Sequence, residues 1–456
     1  GKFTKLPWVP LAGSILLVAT PSLLVISNWG METSLAAALV LWALLTYHRE
    51  HWLQLALALG LAIWARPDTI VLCIAIGLDY FYLRKTATSK PGLKPVLLFL
   101  SIALAFVGFN LLLSGTVLPN TFYAKLAYYS GGGGNFWSQL WNLLSGGGKI
   151  ITFALAVIGI GWCASQKRRG NAALILYPLG MIILYRWKLP YLYQDGRYLI
   201  PILPFVLLLT IVGAERSAAW VGKSISAASV LAVILILITA IGQFSGMNGA
   251  VQALTSEDVY IHNLQVATAQ WCAKSLPPRA VITTHDIGAL GYYSGRRVVD
   301  LVGLADPAMI QFLKPGATAG AVRELRKQGV NYAALLDNWY EIANENTVFI
   351  DAPPGSETMR VYHFTDSSRF TGAKVLAIHK YLYDLLQGGD PRDFGEAMRE
   401  AIAYEPDNAL TYTLGGEVML AMNRRDAARE YFEKALYFFP ESERAGRDLS
   451  LCNGGK

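Results

Sequence analysis

Four short polar clusters interrupt a chain that is otherwise apolar through its first half. They are Trp29-Gly30-Met31-Glu32-Thr33, Ala65-Arg66-Pro67-Asp68, Leu118 to Lys125 (LPNTFYAK) and Tyr193-Gln194-Asp195-Gly196-Arg197-Tyr198. Arg66, Lys125 and Arg197 have the chemistry to hold an anionic head such as a phosphate through charge-assisted hydrogen bonds. Glu32, Asp68, Asn120, Tyr123 and Asp195 can orient hydroxyl groups or one another, and Tyr and Trp faces suit the apolar faces of sugars. Charged groups at the edge of a bilayer are expensive enough that function is the default reading. Plainer readings stand beside it. Arg66 and Asp68 could close a helix end as a local ion pair, Lys125 could snorkel to headgroups, and most aromatic residues could form an interfacial belt.

Composition says what must position these clusters. Of 456 residues, 54% are apolar and only 16% charged, against about 25% charged in soluble domains. So few charges cannot solvate a chain of this size, and much of it must face lipid. Disordered, collagen-like and disulfide-rich secreted classes are excluded. Cys73, Cys163, Cys272 and Cys452 have neither zinc nor redox spacing. The net charge of +7 need not mean nucleic acid, because membrane proteins gather Lys and Arg in cytoplasmic loops.

About nine apolar runs read as spans, roughly 8–27, 33–47, 51–65, 69–83, 95–113, 150–165, 172–185, 199–213 and 224–243, several of them below the usual ~20 residues. Alternate loops hold Lys2, Lys5, Arg49, Arg84, Lys85, Lys90, Lys94, Lys167, Arg168, Arg169, Arg216 and Lys223. The other set holds half as many: Arg66, Lys125, Lys149, Arg186, Lys188 and Arg197. Positive charge marks the cytoplasmic side. An odd number of spans then places everything after Gln243 outside, and all the polar clusters at membrane boundaries share that extracytoplasmic face. Asp79 reads as an interfacial partner of Arg84 or Lys85. Asn135 to Leu144 reads as an amphipathic helix lying in the interface. The glycines at 131–134 and 146–148 on either side of it suit a movable flap or a plain linker equally.

Several of these pieces resemble one family. Gly30-Met31-Glu32-Thr33 resembles the SGLET turn of bacterial GT-C fold glycosyltransferases, and Arg66-Pro67-Asp68 resembles their TRPDG motif, with Thr69 replacing the glycine. Ser114 to Lys125, SGTVLPNTFYAK, is similar to the GDLLPNTFYAK loop of a branch that includes the mycobacterial terminal arabinofuranosyltransferases. His285 to Tyr292 and Val299 to Leu304 resemble the opening strands of the extracytoplasmic domain in that branch, and the matching order covers roughly residues 1–365. The resemblance implies a polytopic helical membrane protein of GT-C-like fold. It would transfer a hexosyl or pentosyl group from a polyprenyl-phosphate carrier to a glycan, lipid or protein acceptor outside the bacterial cytoplasmic membrane. Lys125, Arg66 and Arg197 would hold the carrier phosphate, with Glu32, Asp68, Asn120, Tyr123 and Asp195 around the sugar. The family's acidic base is expected in an external loop upstream of Gly1. On that reading the chain is an N-terminal truncation, and Glu32 is the candidate carboxylate that remains. No metal site and no certain cofactor is expected, though a divalent ion is compatible with the chemistry.

Beyond the membrane core (1–249), residues 250–368 read as an extracytoplasmic α/β domain. Strands are expected at 280–284, 298–302 and 332–336, with 359–364 closing the sheet. His285 and Asp286 fall at a strand's C-terminal end, where α/β folds place ligands, and are candidates for the acceptor side; the pair could equally cap the next helix. Residues 369–456 read as tetratricopeptide-like helical repeats. Ala401 and Ala435, Pro406 and Pro440, and Met398 and Phe432 are each 34 residues apart, which is that repeat's period, and a protein partner is its simplest use. Two other classes compete with a transferase: a transporter or flippase of lipid-linked saccharides, and a membrane-anchored scaffold. A transporter should bring inverted repeats and midplane polar residues, and the sequence has neither.

Overall fold

The apolar half of the chain is helical throughout in the computed structural model, as a backbone without water must be when every N–H and C=O needs an internal partner. The structure describes residues 9–18, 20–83, 89–129, 136–145, 149–189, 192, 196–222, 225–313, 318–337, 339–344, 346–353, 356–365 and 368–453. Expectations for Lys2, Lys5, Arg84, Lys85, Lys223, Asp195 and both glycine runs therefore lie outside the described residues. Two units form, Gly1–Ser256 and Glu257–Lys456.

The first unit contains α1 (Val9–Val18), α2 (Pro21–Asn28), α3 (Thr33–His48), α4 (Trp52–Ala65), α5 (Ile70–Leu83), α6 (Leu93–Ser114), α7 (Asn120–Tyr129) and α8 (Phe136–Ser145). It continues with α9 (Lys149–Ser165), α10 (Asn171–Lys188), α11 (Leu203–Val221) and α12 (Ile225–Ser245). Among the described residues, three helices are long and apolar enough to cross a membrane: Leu93–Ser114, Ile200–Val221 and one within Ala227–Ser275. The expected first span is broken. α1 and α2 meet at 61°, where Pro21 opens α2 and has no N–H to carry the ladder on. Thr33–His48, Trp52–Ala65 and Ile150–Ser165 are apolar but shorter. At 1.5 Å per residue the 14 residues of α4 reach about 21 Å, against ~30 Å of hydrocarbon.

Burial separates lipid-facing from core helices. α6 is apolar along its length, yet only 11% of its most apolar stretch is buried. Water would not leave so large an apolar face bare; lipid would. Its inner edge rests on α4, where Trp64 packs on Phe106 and Phe109 at 5.7 and 5.4 Å between centroids. Inside, Tyr47, Leu72, Leu174, Tyr177, Met181 and Phe205 are fully enclosed among α3, α5, α10 and α11.

α9 and α11 touch backbone to backbone. A Cβ on Gly213 would lie 1.8 Å from the Leu155 carbonyl oxygen, and one on Gly159 would lie 2.0 Å from that of Leu209. Small residues let helices in lipid approach this closely. Gly213→Ala must push the pair apart, and we expect a sharply lower melting temperature in detergent. Gly161→Ala, whose Cβ would meet nothing within 4 Å, should melt like the parent. Equal melting of both variants would show that the crossing is not tight.

The second unit begins near the end of α13 (Met247–Tyr260) and continues through a π-helical turn, Ile261–Val266, into α14 (Ala267–Ser275). Strands β1 (Val281–Thr284), β2 (Arg297–Asp300), β3 (Tyr332–Leu336), β5 (Thr347–Asp351) and β6 (Met359–His363) form a sheet in the order β2-β1-β3-β6-β5. β1 runs parallel to β2 and β3; β6 runs antiparallel to β3 and β5. Residues 359–364 thus do not close the sheet, because β5 lies outside β6 as the edge. β4 (Ile342–Ala343) and β7 (Arg369–Phe370) pair separately, and α15 (Ile287–Tyr293) and α16 (Thr318–Lys327) cross between strands.

Five helices follow: α17 (Ala373–Leu386), α18 (Phe394–Tyr404), α19 (Ala409–Ala421), α20 (Arg425–Phe438) and α21 (Glu443–Cys452). Two of the three 34-residue pairs are core pairs: Met398 and Phe432 are buried, as are Ala401 and Ala435, while Pro406 and Pro440 are exposed. His379 fastens this stack to the sheet side, with Nδ1 2.5 Å from Glu341 Oε2 and Nε2 2.8 Å from Thr411 Oγ1.

Candidate functional site

Pro67 sets the geometry of the site in the first unit. It forces the preceding residue out of the helical region, so Arg66 ends α4 in an extended conformation at φ −152°. The side chain then turns inward and is 5% exposed. Its guanidinium donates to Asp68 through Nε at 3.1 Å and Nη2 at 2.5 Å. It also donates to Thr33 Oγ1 at 3.3 Å, to Tyr185 OH at 3.1 Å and to the Arg197 carbonyl at 3.4 Å, with Glu32 at 3.8 Å. The Tyr185 hydroxyl donates to the same Asp68. Arg66 and Asp68 are therefore an ion pair, as the plainer reading had it, but one that joins α3, α4, α10 and the loop before α11.

Tyr198 is the floor of the cluster. Its ring stacks on Tyr185 at 5.4 Å and 10°, and three cations stand against it: Lys125 at 4.9 Å, Arg197 at 5.0 Å and Arg66 at 5.7 Å. Arg197 Nη2 donates to the Tyr198 hydroxyl at 3.3 Å, and Nη1 lies 3.3 Å from Met31 Sδ. Among the described residues neither Lys125 nor Arg197 has a carboxylate partner, and the buried Arg197 Nε has no partner at all. One positive charge is answered and two are not.

The structure thus brings Glu32, Arg66, Asp68, Lys125 and Arg197 together. Asn120 opens α7, and Tyr123 stacks edge-on with Phe122; neither bonds to the cluster among the described residues. Two helical steps separate Tyr123 from Lys125 by about 200°, so the two side chains serve different faces. Asp195 lies outside the described residues. Tyr185 is the partner that sequence reasoning missed, while Thr33 and Tyr198 were named within the clusters without a role. α8 is seated on this loop. Phe136, Leu140 and Leu143 are buried on one face while Trp137 and Trp141 stay exposed, and Gln139 Oε1 accepts from the Leu192 N–H at 3.0 Å.

A second polar cluster occupies the opposite ends of the same helices, which corrects the reading that all such clusters share one face. Glu50, at the N-terminal side of α4, pairs with Arg169 and accepts from Ser89. Asp79, fully buried near the end of α5, accepts from Tyr47 OH at 2.7 Å, Gly170 N at 3.0 Å, Ala172 N at 2.8 Å and Ala173 N at 3.3 Å. It caps the N-terminus of α10, where orphan N–H groups need an acceptor, while Arg84 and Lys85, the partners expected for it, lie outside the described residues. Asp79→Ala would orphan these donors at about 1–3 kcal/mol each. A large fall in melting temperature is expected, with Asp79→Asn intermediate; parent-like melting of Asp79→Ala would refute the cap.

In the second unit His285 follows β1 and packs on Trp339 and Tyr340 at 5.9 and 5.3 Å between centroids. Both ring nitrogens are buried with no hydrogen-bond partner among the described residues. Burial lowers the imidazole to about 4, so the ring is neutral at pH 7. Asp286 occupies the N-cap of α15 without making the cap hydrogen bond; it accepts from Gln265 at 2.8 Å instead. The capping alternative for this pair is thereby removed. Among the described residues no group of three His, Cys, Asp or Glu side chains stands ready for a metal.

A family model described as a domain of unknown function (DUF8728) matches residues 256–381. That stretch takes in the sheet and α17, including His285 and Asp286, and none of the cluster around Tyr198. A search of curated proteins finds no match.

Proposed function

We propose that the chain is a membrane glycosyltransferase that moves a sugar from a polyprenyl-phosphate carrier to an acceptor outside the cytoplasmic membrane. The observation that supports this most is the set of cations on Tyr198, two of them without a carboxylate partner among the described residues, at one end of an apolar helical bundle. Half-buried cations without a carboxylate among the described residues suit a phosphoryl or leaving phosphate oxygen, which they would stabilise as charge develops there. Glu32 and Asp68 then face the sugar. In this reading the shorter apolar helices join the three long ones in a GT-C-like core of about nine spans. The sheet and the tetratricopeptide-like stack lie on the extracytoplasmic side, and the stack offers a surface to a protein partner.

The test is incubation of the protein with a panel of radiolabelled polyprenyl-phosphate pentoses and hexoses. Transfer to an acceptor from one donor is expected. Binding without transfer, together with carrier movement across vesicles, would replace the transferase by a flippase.

A further inference from the structure

The second unit encloses a cavity of about 410 Å³ where its sheet meets its helices. Two asparagines hold that junction open. Asn344 Oδ1 accepts from the Ala409 N–H at 2.8 Å. Asn346 donates to the Glu441 carbonyl at 2.8 Å and accepts from the Glu443 N–H at 3.1 Å. The loop after β4 is thereby tied to the starts of α19 and α21, and the cavity is preformed. Its size falls in the range of small-molecule sites.

The charged groups in its wall are compensated in place. Arg444 donates to both oxygens of Glu417 at 2.6 and 2.7 Å. Arg360 donates to Asp337 at 2.6 Å and Arg447 to Asp448 at 3.2 Å. Among the described residues an anion entering the cavity meets no cation without a carboxylate partner, and it meets the carboxylate of Glu443 besides. Hydrogen-bonding capacity nevertheless remains. Arg360 uses only Nε, leaving its two terminal nitrogens unengaged among the described residues. Thr347 adds a hydroxyl that both donates and accepts, while Tyr362 and Phe439 add flat apolar surface; the Tyr383 hydroxyl already donates to Glu341 at 3.5 Å.

We infer that this cavity binds a neutral saccharide. Hydroxyls that donate and accept together match a wall of already-paired charges, and a sugar ring offers an apolar face to the tyrosines. The role as an acceptor-glycan site rests on the transferase reading; the binding itself does not.

Titration of the full chain in detergent with linear neutral trisaccharides of hexose and pentose type tests the inference, with uronate trisaccharides and an unstructured peptide as comparisons. One neutral trisaccharide is expected to bind. Arg360→Lys, which keeps the charge beside Asp337 and removes the free fork, should weaken it at least ~10-fold, the loss of one charge-assisted hydrogen bond. Arg447→Ala, at the rim, tests the same wall at a more exposed position and should weaken it less. Lys125→Ala should leave this binding unchanged. Preference for the uronate or the peptide, or equal affinity in both arginine variants, would overturn the inference. Saccharide binding intact in a protein that transfers from no donor would sink the transferase reading alone.

Discussion

Lys125→Ala is expected to reduce sugar transfer at least ~10²-fold, the scale for removing one charge-stabilising group from a closed site, while leaving the melting temperature unchanged. The two halves of that expectation have separate origins. Lys125 stands over Tyr198 at 4.9 Å and, among the described residues, holds no carboxylate, so its loss orphans nothing. Its charge is available to a ligand instead. Lys125→Arg should recover only part of the rate, since a planar fork cannot take the place of a compact ammonium without rearrangement. Turnover assayed beside thermal melting decides the matter. Unchanged kinetics in a folded Lys125→Ala protein would mean that this lysine only snorkels.

The contrast between Lys125 and its neighbours shows what a sequence can and cannot disclose. Arg66, Lys125 and Arg197 were legible because each charge breaks an apolar run, a feature visible without any partner. Tyr185 was not. It lies 119 residues from Arg66, inside an apolar helix where a tyrosine reads equally as belt or core. Thr33 and Tyr198 were seen as motif residues, but Thr33 not as a partner of Arg66 and Tyr198 not as the surface on which three cations meet. The backbone partners of Asp79, the N–H groups of Gly170, Ala172 and Ala173, were not legible because they reach it only once α5 and α10 pack side by side. The Glu50 and Arg169 pair was absorbed into the charge bias of the basic loops, which counts charges without asking what they touch. In the second unit the central strands were legible as apolar runs, whereas β5, with Val348 and Ile350 exposed, alternates too briefly to stand out. The 34-residue spacing was legible because Met398 and Phe432, and Ala401 and Ala435, fill the same kind of core position, whereas Pro406 and Pro440 keep the spacing on the surface.

Arg66 should behave in the opposite way to Lys125. Its guanidinium answers Asp68 twice and Tyr185 once inside a pocket where it is 5% exposed. Removing one member of a buried pair leaves the other charge without compensation, at a cost of about 3–5 kcal/mol. Arg66→Ala is therefore expected to unfold at a much lower temperature and to lose activity as a consequence. Arg66→Lys should recover little, because an ammonium cannot span both Asp68 oxygens and Thr33. The double variant Arg66→Ala/Asp68→Ala removes both charges and should be more stable than Arg66→Ala alone, a non-additivity that a double-mutant cycle reads directly. If Arg66→Ala instead melts with the parent and fails only in turnover, the ion pair is not what joins α3, α4 and α10. Arg66 would then belong with Lys125 among the groups that hold the ligand.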